Sequence, residues 1–279
     1  MQKLALEWRQ QGQNIALVPT MGFLHQGHAS LIEKARKLVG PQGKVVVSIF
    51  VNPTQFGPHE DFERYPRSES ADRSLCRELG ADCVFVPPVK EIYPEGQKDA
   101  FSTFVLEERL SQTMEGASRP EHFRGVTTIV TILFNLILPT HAVFGEKDFQ
   151  QAAIIKKMVH DLRQPVKVVI GKTIREADGL ALSSRNAYLS TKQRKHAHVL
   201  IRAIKQARAQ VRSVSQPTNA KTLEKEIAKL VSATPGADLD YVTFFDPVSL
   251  SPVTRVTRQH RIALAVRFGQ TRLIDNGKL

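Results

Sequence analysis

The chain has 279 residues, 42% of them hydrophobic and 24% charged, with a formal net charge of +12, which excludes wholesale disorder and leaves room for two domains of unequal size. Its basic residues are scattered and are not interleaved with aromatic ones, which argues against nucleic acid as a partner and favours small anionic ligands such as polyphosphates. The chain has two cysteines, its apolar run at 126–138 is too short to span a bilayer, and its amino-terminus is unlike a signal peptide. These features predict a reduced, cytoplasmic setting without a membrane partner.

The first part of the chain alternates between strand-like and helix-like patterns. Short apolar runs predict strands at residues 14–18, 44–50, 83–86, 141–145 and 166–170. Between them, helical patterns cover residues 31–39, 69–80 and 148–162. The run at 44–50 is rich in β-branched residues, which is typical of a strand buried on both faces of a parallel sheet. We therefore predict an α/β fold with a doubly wound parallel sheet and right-handed crossovers.

The pattern changes near residue 173. Two helical stretches, 191–212 and 219–232, are joined by a loop at 213–220 and precede runs rich in β-branched residues at 239–245, 261–268 and 271–275. This mixture is typical of an α+β domain. We therefore predict a first domain over residues 1–173 and a smaller C-terminal α+β domain over residues 174–279.

The segment PTMGFLHQGH (19–28) lies where the first predicted strand passes into the first helix. In open α/β sheets, ligands bind beyond the carboxyl ends of the strands, where a helix amino-terminus offers N–H groups and the positive end of its dipole. Gly22 and Gly27 would let the backbone approach a ligand, and His25 and His28 could donate hydrogen bonds to phosphate oxygens. The motif is neither a Rossmann G-x-G-x-x-G nor a P-loop, so a surface turn with incidental histidines stays open as the alternative.

A second polar segment, SIFVNPTQF (48–56), follows the next buried strand. The Asn52-Pro53 pair ends that strand because proline cannot donate to a strand ladder, and Gln55 then falls on the ligand side of the sheet. An amide can both donate and accept, which suits a ligand with hydroxyl and carboxylate groups. The alternative is an ordinary turn followed by a solvent-facing glutamine.

A third segment, VFGEKDFQQ (143–151), opens another helix at the same edge of the sheet. Lys147 stands where a cation is unfavourable unless an anion neutralises it, which favours a bound phosphate. Asp148 is placed either to cap the helix or to contact a ligand. Gln151, about one turn further, would point back toward the same pocket.

A fourth segment, READGLALSSRNAYL (175–189), lies where the pattern changes. The Asp178-Gly179 pair predicts a turn. Ser183, Ser184 and Arg185 bring two hydroxyls and a guanidinium together on a loop, which is a competent phosphate clamp. Many surface loops carry the same residues without binding anything.

The first and fourth segments together resemble the nucleotidylyltransferase superfamily, in which a His-x-x-Gly-His motif and a later loop clamp ATP. The fuller set is similar to the pantothenate synthetase (pantoate–β-alanine ligase) family, because LVPTMGFLHQGH, VVSIFVNPTQF, RYPR, EGASRPEHFRGV, VFGEKDFQQ, READGLALSSRNAYL and TRLIDN occur in that family's order over nearly the whole chain. The resemblance implies a Rossmann-like ATP- and pantoate-binding domain at 1–173 and a lid domain at 174–279 that carries the Ser-Ser-Arg loop.

The resemblance also implies an activity, an ATP-dependent condensation of (R)-pantoate with β-alanine to pantothenate. Pantoate would attack ATP to give pantoyl adenylate and pyrophosphate, and β-alanine would then displace AMP. Magnesium would be held mainly through the phosphates, with no residue assigned as a direct metal ligand, and the assembly would be a homodimer. Such an in-line attack at phosphorus needs positioning and cationic or N–H donors more than covalent help from the protein.

The resemblance assigns roles to individual residues. His28 matches the position of the proton donor. His25 and Lys147 match the other catalytic positions, which contact the nucleotide phosphates. Gln55 and Gln151 match the glutamines that hold pantoate. The residues that match ATP contacts are Met21, Gly22, Phe23, Leu24, His25, Gln26, Gly27, His28, Gly145, Glu146, Lys147, Asp148, Ile174, Leu182, Ser183, Ser184 and Arg185.

Two alternatives to this activity stay open from the residues alone. Another nucleotidylyltransferase of the superfamily, acting on a phosphate-bearing acceptor, would need extra cations where Gln55 and Gln151 stand. A nucleic-acid-binding module would fit the pI of 9.8, and its binding would fall steeply with salt concentration.

Overall fold

The structure is a computed structural model that describes residues 1–58, 60–94 and 101–279. The chain divides into two compact units. The larger unit comprises Met1–Ser111 and Glu115–Lys172, and the smaller comprises Gln112–Met114 and Thr173–Leu279. In the described part of the chain, every helix is too short or too polar to cross a lipid bilayer.

The larger unit is built on a parallel sheet, which confirms the predicted fold class. Its strands among the described residues are β1 (Ile15–Thr20), β2 (Lys44–Ile49), β3 (Cys83–Phe85), β4 (His141–Gly145) and β5 (Lys167–Gly171), in the spatial order β3-β2-β1-β4-β5. All four neighbouring pairs are parallel. The chain moves outward from β1 to β3 on one side and then from β4 to β5 on the other. The point between β1 and β4 is therefore the topological switch point, where ligands bind in sheets of this kind.

Helices cover both faces of this sheet. They are α1 (Gln2–Gln10), α2 (Gln26–Val39), α3 (Glu69–Glu78), α4 (Val89–Ile92), α5 (Glu115–Ser118), α6 (His122–Ile137) and α7 (Phe149–Asp161). Successive residues of a strand point to opposite faces, and along β1 Ile15 and Leu17 enter one core whereas Ala16 and Val18 enter the other. Burial on both faces explains why the strands read as continuous apolar runs.

The apolar run at 126–138 forms most of α6, a helix that the sequence analysis did not assign. Most of its side chains are buried against the sheet and α7. Two threonines within it are accommodated because their hydroxyls donate to the helix backbone one turn earlier, Thr127 to the carbonyl oxygen of Phe123 and Thr128 to that of Arg124, both at 2.7 Å. Helices α1, α4 and α5 also lie outside the predicted helical stretches.

The smaller unit packs helices on an antiparallel sheet. The helices are α8 (Thr191–Ala197), α9 (Val199–Ser213) and α10 (Ala220–Ser232), and the strands are β6 (Thr218–Asn219), β7 (Ala237–Phe245), β8 (Arg255–Val256), β9 (Arg261–Phe268) and β10 (Thr271–Lys278). Strands β10, β9 and β7 form one sheet in that order, and β6 pairs with β8. The predicted α+β character of this part is confirmed.

The helical stretch predicted over residues 191–212 is present, but it consists of two consecutive helices. The chain turns at His198, whose ψ of −5° departs from helical values, and α8 and α9 lie on either side of it. Ala197, Val199 and Leu200 are all fully buried, and a straight helix buries only one stripe of its surface. Residues 213–220, predicted as a loop, also contain the short strand β6.

Candidate active site

The residues that follow β1, β2 and β4 form the candidate site of the larger unit. Parallel strands end at the same edge of a sheet, so the segments that leave these three neighbouring strands begin close together. The segment after β1 leads into α2, the segment after β2 forms a 3₁₀ turn over Pro53–Gln55, and the segment after β4 forms a 3₁₀ turn over Glu146–Asp148 before α7. The first three polar segments of the sequence therefore share one sheet edge.

The loop after β1 is held in a strained conformation by a buried carboxylate. Gly22 has φ +84° and Phe23 has φ +50°, and a Cβ on Gly22 would lie 3.0 Å from Ile49 and 3.1 Å from Asp72. The Asp72 carboxylate accepts hydrogen bonds from the backbone N–H groups of Phe23 (2.8 Å) and Leu24 (2.7 Å). These two N–H groups are therefore committed to the protein itself. Sequence reasoning missed Asp72, which lies on α3.

The two histidines of the first segment cap helix α2 reciprocally. His25 is the N-cap residue, with an extended backbone, and its Nδ1 accepts from the N–H of Gly27 at 3.1 Å. The Nδ1 of His28 accepts from the N–H of His25 at 3.2 Å, and the two ring centroids are 4.1 Å apart. A ring nitrogen that accepts a hydrogen bond carries no proton, so each neutral ring carries its proton on Nε2. Each imidazole therefore keeps one N–H to donate to a ligand.

Both imidazoles are neutral at physiological pH. Burial lowers the pKa of His28 to about 3, and the neighbouring charges of His25 and Lys147 act in the same direction. Burial, followed by the charge of Lys147, lowers the pKa of His25 to about 4, although Asp148 opposes the shift. The charge of Lys147 acts on both rings, so the pair offers uncharged N–H donors within the electrostatic reach of an ammonium.

The turn after β4 supplies that cation. Lys147 Nζ lies 3.2 Å from Asp148 Oδ1. The Asp148 side chain makes no capping hydrogen bond to α7, so the capping alternative is wrong; the carboxylate instead pairs with the ammonium beside it. Gln151 is half-buried in the first turn of α7.

Gln55 is buried, contrary to the alternative of a solvent-facing side chain. Its Oε1 accepts from Asn52 Nδ2 at 3.2 Å, and its Nε2 lies 3.2 Å from Met21 Sδ. The segments after β1 and β2 are thereby in direct contact. The structure thus brings Met21 into contact with Gln55, His25 into contact with His28, and Lys147 into contact with Asp148, all at the same sheet edge.

Helix α6 packs directly on the backbone around Gln55. A Cβ on Gly125 would lie 2.5 Å from the carbonyl oxygen of Thr54 and 2.6 Å from the backbone nitrogen of Gln55, so only glycine permits this approach. The carbonyl oxygen of Gln55 also lies 3.0 Å from His122 Nδ1 and accepts from Arg119 Nη2 at 3.3 Å. Arg119 is fixed in turn by Glu60, with a 2.7 Å contact from Nε to Oε1. The sequence analysis assigned no role to Arg119, His122 or Gly125. They belong to the segment EGASRPEHFRGV, which contributed only to the family resemblance.

The buried imidazole of His122 predicts acid sensitivity of this unit. Burial, and next the charge of Arg119, lower the pKa of His122 to about 4. Above pH 6.5 the ring is neutral whether the chain is folded or not; as the pH falls toward 4, only the unfolded chain takes up the proton, so stability is lost in that window. We expect this group to lower the free energy of unfolding by about 3 kcal/mol between pH 7 and pH 4.

Urea unfolding at several pH values checks this prediction. His122→Asn, which keeps an N–H donor near the Gln55 carbonyl and does not titrate, should give a flatter pH profile than the unsubstituted chain. His160→Asn serves as the matched control because His160 is exposed on α7. Equal slopes for all three proteins would remove His122 as a source of the acid sensitivity.

In the smaller unit, the predicted phosphate clamp follows a tight hairpin. Ile174 and Leu182 are joined by a backbone hydrogen bond of 3.0 Å, and the predicted turn is confirmed because Gly179 has φ +93° and Asp178 accepts from the N–H of Leu180. The hydroxyl of Ser183 caps the 3₁₀ turn Ser184–Tyr188. Contact of Ile174 and of residues 182–185 with a nucleotide stays a prediction.

The described residues contain no group of three or more His, Cys, Asp or Glu side chains that could hold a metal ion. The amino-terminus of α2 and the ammonium of Lys147 are suited to binding phosphate groups.

Comparisons with known proteins identify the family. Residues 1–278 match the family model described as pantoate-beta-alanine ligase. The chain is 48% identical over 269 residues to the pantothenate synthetase of Herpetosiphon aurantiacus, covering 96% of this chain and 94% of that protein. It is similar to the crystal structure of pantothenate synthetase from Thermus thermophilus (TM-score 0.88, 44% identity, covering 98% of this chain and 97% of that one). It is also similar to that of the pantoate-beta-alanine ligase from Francisella tularensis complexed with beta-gamma ATP and beta-alanine (TM-score 0.74, 33% identity, 99% and 95% covered). The chain belongs to the pantoate-beta-alanine ligase family.

Proposed function

We propose that the chain condenses (R)-pantoate with β-alanine to pantothenate at the expense of ATP, which is cleaved to AMP and pyrophosphate. Within the structure, the observation that supports this activity best is the cluster of His25, His28 and Lys147 beside the topological switch point. Membership of the family and the ATP and beta-alanine in the Francisella tularensis complex support the substrates. A phosphate-bearing acceptor is disfavoured because the neutral Gln55 stands where a further cation would be needed.

In the first step, a carboxylate oxygen of pantoate attacks the α-phosphorus of ATP, and the bond from that phosphorus to the bridging oxygen of pyrophosphate breaks. Negative charge develops on the departing pyrophosphate. The Nε2–H groups of His25 and His28, the ammonium of Lys147 and the amino-terminus of α2 are suited to stabilise that charge. Each such donor in a dry site supplies roughly 2–4 kcal/mol. Magnesium, when bound, would neutralise and orient the phosphates.

Pantoate itself is proposed to lie between Gln55 and Gln151. Neutral amides can hold a carboxylate by hydrogen bonds without the strong electrostatic pairing that would reduce its nucleophilicity. Gln55 is pre-positioned for this role by contacts with Asn52 and the α6 segment. Because it is buried, little side-chain entropy remains to be lost on binding.

In the second step, the uncharged amine of β-alanine attacks the acyl carbon of pantoyl adenylate, the carbon–nitrogen bond forms, and AMP leaves with the electrons of the acyl–oxygen bond. The amine releases a proton in this step. An acyl adenylate is sensitive to water, so we propose that the smaller unit acts as a lid whose Ser183, Ser184 and Arg185 engage the nucleotide. Residues 1–173 would form the nucleotide- and pantoate-binding domain.

Three further features belong to the proposal. Magnesium accompanies ATP, the protein works in the cytoplasm, and two copies of the chain form a homodimer. The support is the phosphate chemistry of the first step for magnesium, the presence of only two cysteines for the cytoplasm and the family resemblance for the homodimer. Sedimentation of the purified chain tests the assembly directly.

The activity is tested by supplying ATP, magnesium, pantoate and β-alanine and measuring AMP. The expected result is AMP formation that depends on both organic substrates, with pantothenate formed in equal amount. With pantoate but no β-alanine, one equivalent of pyrophosphate per active site is expected, because the adenylate accumulates. AMP formation that does not depend on pantoate would contradict the proposal.

Gln55→Ala is expected to raise the KM for pantoate by about 10- to 100-fold, the equivalent of one lost hydrogen bond to a charged group. The KM for ATP should stay unchanged because Gln55 is not among the phosphate donors. Initial-rate measurements with each substrate varied separately check this. Gln259→Ala, at an exposed position of the smaller unit, is the matched control, and an unchanged pantoate KM in Gln55→Ala would move the pantoate pocket elsewhere.

A further inference from the structure

A buried hydroxyl lies behind the proposed pantoate pocket and is not used by the mechanism above. Tyr93 is 1% exposed, and its hydroxyl donates to Asn52 Oδ1 at 2.8 Å. The same hydroxyl lies 3.2 Å from Thr54 Oγ1, which is itself 3.0 Å from Asn52 Oδ1. Burial raises the pKa of Tyr93, so the hydroxyl keeps its proton at physiological pH.

Contacts with backbone groups identify which end of the Asn52 amide is the nitrogen and which is the oxygen. Asn52 Nδ2 lies 3.1 Å from the carbonyl oxygen of Gly125, which can only accept. Asn52 Oδ1 faces the backbone N–H of Thr54 at 3.4 Å, which can only donate, together with the two hydroxyls. The amide nitrogen is therefore directed toward Gln55 and the oxygen toward Tyr93.

This orientation is passed on to Gln55. Asn52 Nδ2 donates to Gln55 Oε1, so the acceptor end of the Gln55 amide is occupied inside the protein. The donor end, Nε2, faces Met21 Sδ, and a thioether is a weak acceptor. Gln55 can therefore donate its amide N–H groups to a stronger acceptor, such as a carboxylate or hydroxyl oxygen, and loses only the weak contact with the Met21 thioether.

We propose that Tyr93 is a positioning residue for pantoate, whose hydroxyl holds Asn52 so that Gln55 presents its amide N–H groups to an oxygen of the substrate. This inference rests on the proposed function. The Tyr93 ring packs edge-on against Phe101, with centroids 4.8 Å apart, and lies 6.3 Å from Phe50. Tyr93→Phe therefore removes the hydroxyl and keeps the packing.

Tyr93→Phe is expected to raise the KM for pantoate about fivefold, with kcat and the KM for ATP unchanged, because one neutral hydrogen bond is lost behind the pocket. A general loss of structure would lower kcat and change both KM values. Tyr241→Phe is the matched control, since Tyr241 lies on β7 of the smaller unit. An unchanged pantoate KM in Tyr93→Phe would overturn the inference.

The double variant Tyr93→Phe/Gln55→Ala gives the sharper test. If Tyr93 acts through Gln55, the double variant has the same pantoate KM as Gln55→Ala alone; independent effects would instead multiply and would refute the link. Should Tyr93→Phe fail to fold, Thr54→Val removes the other hydroxyl that contacts Asn52 Oδ1. The pantoate KM of Thr54→Val/Gln55→Ala is then compared with that of Gln55→Ala in the same way. If the unsubstituted chain itself forms no pantoate-dependent AMP, the proposed function fails; if it is active and the variants are unaffected, only the role of Tyr93 fails.

Discussion

His28→Ala is expected to slow formation of pantoyl adenylate by about 10²- to 10³-fold, which is the effect of removing one pre-positioned donor from developing negative charge. The Nδ1 of His28 is committed to the backbone of His25, so the lost group is the Nε2–H. Pantoate binding should change little, because Gln55, which we propose to hold pantoate, is not altered. Single-turnover release of pyrophosphate in the absence of β-alanine measures this step by itself.

The capping role of His28 must be separated from its role as a donor. His28→Asn can keep an acceptor near the position of Nδ1 but has nothing at Nε2, so it should fold like the unsubstituted chain and stay as slow as His28→Ala. His28→Gln, whose amide can reach the position of Nε2, should recover part of the rate. His160→Ala, at an exposed site, controls for loss of a histidine. Equal single-turnover rates in all of these proteins would remove His28 from the chemistry.

The elements of the parallel sheet could be predicted because strands buried on both faces leave uninterrupted apolar runs. Residues 44–50 are such a run, and β2 occupies 44–49. Helix α6 could not be separated from a generic apolar segment, since its buried threonines obscure the pattern and are satisfied by its own backbone. The break between α8 and α9 at His198 could not be predicted, because it depends on tertiary burial of neighbouring residues and helical periodicity contains no information about that burial.

In the candidate site, too, some residues could be predicted from the sequence and others could not. His25, His28, Gln55 and Lys147 were predictable because they follow strands that end at one edge. The groups that hold them were not, because their partners are distant in sequence: Asp72 is 49 residues from Phe23, and His122 is 67 from Gln55. Nothing local to α3 or α6 encodes these contacts.

The protonation of the two histidines also had to come from the structure. A neutral or a protonated imidazole can donate to phosphate, and the sequence does not distinguish them. Burial is the larger cause of the lowered pKa at His25 and His28, and Lys147 adds to it. The positive charge of the site is thereby concentrated on Lys147, so removal of this one side chain should be as damaging as removal of an imidazole.

Lys147→Met is expected to reduce the rate of pantoyl adenylate formation by about 10²-fold or more, since the cation that we propose to face the phosphates is lost from a low-dielectric site. Reaction of preformed pantoyl adenylate with β-alanine should change little, because no pyrophosphate departs in that step. Comparing the two half-reactions therefore locates the action of Lys147. The pKa values of His25 and His28 should rise in the variant, as NMR titration of the imidazoles would show, while both rings stay neutral at pH 7 because burial persists.

Lys157→Met is the matched control, since Lys157 lies on α7 itself and pairs with Asp161 away from the two histidines. Lys147→Arg keeps the charge but replaces a compact ammonium by a planar fork, so a partial recovery of the rate is expected. If both half-reactions slow equally in Lys147→Met, the lysine does not act on the departing pyrophosphate. If neither slows, charge stabilisation at the end of β4 is not part of the reaction, and the phosphates must lie nearer the α2 amino-terminus alone.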